Sequence, residues 1–155
     1  MSAELRIEEL GFELPPAPPK GGVYKPCVID NNRAYLSGHG PYQNDGTYMT
    51  GRLGEDLTLE EGQQAARQVG LALLATIKSE LGSLDRVKRV IKTLALVNST
   101  NDFTQQPETI NGCSELFGKI FGDDGIGARS ALGTNVLPGN IPVEIEVILE
   151  LNEES

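Results

Sequence analysis

The chain has 155 residues, 39% of them apolar and 23% charged, with a formal net charge of −9 when its one histidine is neutral. That length suits one domain with a single core, and the composition is that of a folded globule rather than a disordered chain. The acidic balance argues against a nucleic-acid partner, whose phosphates need concentrated positive charge; the only dense basic group is Arg86, Lys88 and Arg89.

No apolar run reaches the length of a membrane span, and the first residues lack a basic region followed by an apolar core, so a cytoplasmic protein is expected. Cys27, Cys113 and His39 lie far apart without zinc-site or redox-motif spacing. Neither a zinc site nor a redox motif is therefore expected, and Cys113, on the apolar stripe of a helix, reads as a packing residue.

Residues 1–20 run from an acidic stretch into Leu14-Pro15-Pro16-Ala17-Pro18-Pro19. Prolines donate no backbone hydrogen bond, so this segment is predicted to be an extended arm preceding a single domain over 21–155. Gly21 and Gly22 then permit an unusual backbone and leave Tyr24 at the entrance of the domain, either as a pocket wall or as a half-buried tyrosine. Two short strands follow at about 26–29 and 33–37, separated by the tight-turn residues Asp30-Asn31-Asn32. The second strand ends in Ser37-Gly38-His39-Gly40-Pro41, where flanking glycines indicate close backbone approach to a ligand or to another strand. Ser37 either donates a hydrogen bond to that ligand or simply closes the strand. His39 has no visible carboxylate to orient it, so a general base, a lining residue and a structural residue all remain open.

Residues 42–56 are polar and glycine-rich and read as a loop. Thr58 with Glu61 forms a capping-box pattern that opens a helix to about Leu81, stopped by Gly82. Its apolar stripe is Ala66, Val69, Gly70, Leu73, Leu74, Ile77 and Leu81, which must pack on a sheet. A strand over 85–97 follows with an almost continuous apolar run, the pattern of a strand covered on both faces. After the polar loop 98–102, Pro107 suits the first turn of a second helix that ends near Gly122, with Asn111 close to its start.

The last stretch, Gly127 to Leu151, holds two strand-like runs joined by Leu137-Pro138-Gly139-Asn140. It is predicted to be a C-terminal hairpin that presents Arg129 and Glu144 on one wall of a pocket. From Val143 the alternation is nearly perfect, so a register slip would bury carboxylates. Arg129 offers a planar, permanently charged fork that matches a carboxylate, though a surface ion pair would use the same residue. Glu144 equally fits the wet face of a strand.

The element order predicts an α+β two-layer sandwich, a mixed sheet with two helices on one face. Its second face is uncovered within one chain, and self-association into a closed ring, most simply a trimer, would bury it.

These residues carry a resemblance. Gly22-Val23-Tyr24, Ser37-Gly38, the capped helix, Asn101-Asp102-Phe103, Asn111, Ala128-Arg129-Ser130 and Leu137-Pro138 through Val143-Glu144-Ile145-Glu146 resemble the Rid family of reactive-intermediate deaminases. That family is also called YjgF and was earlier labelled endoribonuclease L-PSP. The resemblance spans nearly the whole chain after the arm and implies a chorismate-mutase-like trimer with pockets between subunits. It implies that Arg129 binds the substrate carboxylate and that Glu144 positions the attacking water, with Tyr24, Ser37, Gly38 and Asn111 lining the site. The chain departs from the common pattern in three places: His39 stands where glutamine usually follows Ser-Gly, Gly127 replaces a proline, and Ala131 replaces a frequent cysteine. His39 and Ala131 are taken as substrate-lining positions that bear on side-chain preference.

The implied reaction is hydrolysis of enamines or imines derived from amino acids to 2-oxo acids and ammonia, without a cofactor. A binding module that holds a 2-oxo acid without turnover is the alternative, and an endoribonuclease the remote one.

Overall fold

In the computed structural model, which describes residues 2–153, the elements follow one another as α1 (Ala3–Leu10), β1 (Cys27–Asp30), β2 (Arg33–Leu36), α2 (Leu59–Leu81), β3 (Val87–Asn98), α3 (Gln106–Phe121), β4 (Ala128–Thr134) and β5 (Val143–Leu151). The sheet has five strands in the order β1-β2-β5-β3-β4. Every neighbouring pair is antiparallel except β3–β4, which is parallel. A parallel pair needs a long crossover, and α3 supplies it. The expected α+β sandwich with a mixed sheet and two helices on one face is what forms.

The expected C-terminal hairpin does not form. The Leu137–Asn140 turn reverses the chain, but β5 lands beside β3, leaving β4 as an edge strand. The physical reason is that β3 carries the longest apolar run, and a central position between β4 and β5 buries more of it than an edge would.

Residues 1–20 also differ from the extended arm the sequence suggested. Ala3–Leu10 is helical: the Ser2 hydroxyl caps the Leu5 amide and Gly11 closes the end with φ 71°. The helix is fastened to the domain by Ala3 N–H on the Asp85 carboxylate (2.8 Å), Glu4 on the Leu84 amide (2.9 Å) and the Arg6 fork on the Lys119 carbonyl (3.1 and 3.0 Å). Ala3 and Ile7 are part of the core. Residues 12–20, which include the proline-rich stretch, are without regular structure.

Helix α2 starts at the predicted capping box, with Thr58 and Glu61 each accepting the other's amide hydrogen, and ends at Gly82 in the left-handed region. Residues Val69–Ile77 are all buried, because the sheet covers one flank and α3 another. The two helices touch through glycines: at Gly70 an added Cβ would meet Leu116 and Cys113, and at Gly112 it would overlap the Gln63 carbonyl.

Alternation on β5 sends Val143, Ile145, Val147, Leu149 and Leu151 into the helix-covered core. The opposite sheet face carries Leu94, Leu96 and Ile148, together with Val28, Tyr35 and Leu132, which are 49%, 41% and 52% exposed. Strand β3 has register shifts around Arg89 and between Val90 and Lys92. The chain entering β4 crosses this irregularity so closely that a Cβ at Gly127 would lie 2.6 Å from the Val90 carbonyl oxygen. A glycine where related sequences carry proline is thereby accounted for.

Candidate functional site

Strand pairing decides where the two leading residues point. Arg129 pairs with Thr93 and Glu144 with Leu96 on the same central strand. Paired residues share a face and positions three apart do not, so Arg129 faces α3 while Glu144 lies on the opposite face. With β3 between them and three residues of offset, their Cα atoms stand about 14 Å apart. Within one chain they do not share the pocket wall the sequence suggested. The candidate residues instead gather in two clusters.

The first cluster surrounds Arg129. Its Nη1 donates to Asn111 Oδ1 (2.9 Å) and Ser114 Oγ (3.2 Å), and Nη2 donates to the Pro107 carbonyl (3.3 Å). Asn111 and Ser114 are one helical turn apart on α3, so both acceptors project from the same side. These bonds occupy three of the guanidinium's five N–H donors and leave the Nε–H and one Nη2–H for another acceptor. A cavity of about 330 Å³ opens beside the fork, lined by Thr93, Ser114, Phe117 and Ile126 among others. Ala131 lies two residues further along the same strand face, half-buried against the core. Cys113 reaches the cavity wall but is 1% exposed, and burial pushes its thiol up to about 12 despite the nearby Arg129 charge. It is a packing residue, as its place on the helix stripe predicts.

The second cluster surrounds Glu144. Its carboxylate rests on the backbone of Gly38, where an added Cβ would lie 2.8 Å from Oε2. This is the close approach that the flanking glycines indicated. Burial, and then the neighbouring Glu146 on the same face, hold the Glu144 carboxyl above the usual range. Ser37 stands next to it, but its hydroxyl hydrogen is committed to the Lys25 carbonyl (2.6 Å), so it offers a ligand only lone pairs. Tyr24 is exposed, its oxygen accepting from the Gly21 amide (3.0 Å), and it shares a small recess with Gly38, Gly40, Tyr48, Pro18 and Pro19.

His39 does not present its ring to this cluster. The residue is 6% exposed and its backbone pairs with Ile145, whose side chain is in the core. Nδ1–H donates to the Ser37 carbonyl (2.6 Å), which fixes the tautomer, and Nε2 accepts from the Thr76 hydroxyl (2.7 Å). Of the roles the sequence left open, the structural one matches the two bonds of the ring, while the residue still borders the small recess beside Tyr24. Burial lowers its pKa below the ordinary value, with the Ser37 bond acting the other way. The unfolded chain therefore takes up this proton first: the contribution of neutral His39 is full above about pH 6.5 and is lost as pH falls towards the folded value. Thermal melts between pH 7.5 and 5.5 should show a steeper decline for the native protein than for His39→Gln; equal slopes would contradict this.

Three contributors were missed by sequence reading. Ser114 carries a signal, since it follows Asn111 at helical spacing. Tyr48 sat in a stretch without periodicity, and its ring packs on Tyr42 with centroids 5.0 Å apart. Thr76 read as one more position of a scaffold helix.

The family model described as "YjgF/chorismate_mutase-like, putative endoribonuclease" matches residues 4–151. The chain belongs to the YjgF/chorismate mutase-like family. Protein TCP17 of Trypanosoma cruzi is 40% identical over 147 residues, covering 94% of this chain and 92% of that protein. A structure from Shewanella oneidensis that carries the endoribonuclease label superposes with a TM-score of 0.93 at 30% identity, covering 97% and 100% of the two chains. RidA from an Antarctic Psychrobacter shares the fold at 24% identity, with a TM-score of 0.62 over 86% of this chain and 93% of its own. The family match includes most of α1, so that helix belongs to the family's domain here. Among the described residues no helix is long and apolar enough to cross a membrane.

Proposed function

We propose that the protein hydrolyses imines and enamines derived from amino acids to 2-oxo acids and ammonia, in clefts between copies of the chain. The observation that carries this reading is the Arg129 fork, steadied by three acceptors of α3 with two donors unspent beside a ligand-sized cavity. Such an edge suits one carboxylate, and an imino acid carries its carboxylate next to the C=N carbon.

With the carboxylate held there, the reacting carbon is oriented for attack. Glu144 takes a proton from a water as its oxygen bonds to the imine carbon, and the electron pair of the C=N bond moves to nitrogen. Glu144 returns that proton to nitrogen, giving the neutral carbinolamine; the hydroxyl proton then passes by way of Glu144 to the amine as the C–N bond breaks, so that ammonia leaves and the C=O bond forms. No electrons are exchanged, so no redox partner is needed. A carboxylate held above its usual pKa is a better base near neutrality.

Arg129 and Glu144 face opposite ways in one chain, so a complete site in this reading takes Arg129 from one copy and Glu144 from its neighbour. The exposed apolar side of the sheet supports the same association, and a trimer is the simplest closed ring. The net charge of −9 favours a small substrate over the phosphates of RNA.

The test is the decay of 2-iminopropionate generated in situ by an amino-acid oxidase. Native protein should accelerate it, and Arg129→Ala should lose about 10²-fold or more as orientation is lost. No acceleration, with a 2-oxo acid still stabilising the fold, would leave a small-carboxylate binding module instead.

A further inference from the structure

We propose that His39 is a positioning residue: its buried imidazole, pinned between the Ser37 carbonyl and the Thr76 hydroxyl, holds the Ser37–Gly38 segment where it seats the Glu144 carboxylate. The inference rests on the reading of Glu144 as the water-positioning base.

The geometry points to this through three links that meet at one place. The His39 backbone is bonded both ways to Ile145, N–H to carbonyl at 2.9 Å and the return bond at 3.0 Å, so the ring is attached beside the residue that follows Glu144. On the helix side, the two ring nitrogens tie the Ser37 carbonyl (2.6 Å) to Thr76 in the fully buried part of α2 (2.7 Å). On the opposite side, Gly38 is in contact with Glu144, close enough that no side chain fits between them. A two-residue segment linked on one side to a rigid helix and on the other to a reactive carboxylate transmits the helix position to that carboxylate. Both nitrogens serve neighbours, so the ring itself neither reaches the substrate nor exchanges its proton with it. Its work is to keep the segment from sliding along β5.

Glutamine also has one donor and one acceptor on a side chain of comparable reach. It should therefore preserve the tie, whereas leucine leaves the Ser37 carbonyl and the Thr76 hydroxyl without partners. Thr76→Val removes only the hydroxyl at nearly constant volume and so supplies the same break with less risk to folding; Thr76→Ser restores it.

The experiment measures kcat and KM for 2-iminopropionate, together with the number of 2-oxobutyrate sites per chain by titration, on full-length native protein, His39→Gln, His39→Leu, Thr76→Val, Thr76→Ser and Glu144→Gln. The expected result is a fall in kcat of about 10-fold to 10²-fold in His39→Leu and Thr76→Val, since a displacement of the order of 1 Å costs that much. KM and the number of titrated sites should stay at native values, because Arg129 is untouched and the folded fraction is unchanged. His39→Gln and Thr76→Ser should return to within about twofold of native kcat. If Thr76→Val keeps native kcat while Glu144→Gln is inactive, the positioning role is wrong and the deaminase reading stands. If kcat falls only in proportion to the titrated sites, His39 serves folding alone and the proposal is overturned. Native activity in Glu144→Gln would remove both.

Discussion

A one-to-one mixture of Arg129→Ala and Glu144→Gln protein, dissociated and reassembled together, should recover about a quarter of native activity although each variant alone is nearly inactive. The expectation follows from the opposite facing of these residues across a five-stranded sheet. If each cleft draws its fork from one chain and its carboxylate from the next, random reassembly places an intact member at each side half of the time. Alone, Glu144→Gln removes a general base worth about 10²–10⁴-fold. Arg129→Ala removes the clamp that converts an encounter into an oriented complex, and the Asn111 and Ser114 acceptors cannot substitute because they donate no charge. The assembled mass, read by sedimentation, should equal three chains before and after mixing. Intact assemblies with no recovered activity would overturn the shared cleft.

The largest loss of stability should come from Gly112→Ala. Helix propensity alone predicts a gain of about 1 kcal/mol from this exchange. Packing predicts the reverse, because the new Cβ would overlap the Gln63 carbonyl of α2 and crowd the Arg67 amide (3.2 Å). Backbone atoms in a helix cannot rotate away as a side chain can, so α2 and α3 must separate. Overpacking of this kind costs about 3 kcal/mol or more, which for a chain of this size lowers Tm by about 6–12 °C. Glu115→Ala, on an exposed position of the same helix, is the control and should change Tm little. A Gly112→Ala protein as stable as native would mean that the helices have slack the contact denies.

Much of the scaffold was legible because its signals are local. The Thr58–Glu61 box, the stop at Gly82, Pro107 in the first turn of α3 and the alternation from Val143 each specify an element through contacts within a few residues. The place of β5 was not legible: alternation tells which side chains point inward, but not which strand lies alongside. For the same reason Arg129 and Glu144 could be nominated and still be assigned to the wrong common wall. The N-terminal helix did carry a signal, with Ser2 as cap, Ala3, Ile7 and Leu10 at helical spacing and Gly11 as stop, but the prolines that follow drew the whole segment into an arm. Asn111 was chosen through resemblance and its direction left open; the bond to Arg129 supplies it. The role of His39 stayed open because a lone histidine between glycines looks the same in sequence whether its ring meets a ligand or a threonine one layer below.

The environments of the two cysteines have a chemical consequence. With Cys113 pushed up to about 12 by burial, its thiol stays protonated at neutral pH. Cys27 is raised too, by burial and then by Glu80, and position 131 on the Arg129 strand is alanine. Beside the Arg129 fork the Cys113 thiol is therefore buried and protonated, and alkylating or oxidising agents find little there to modify.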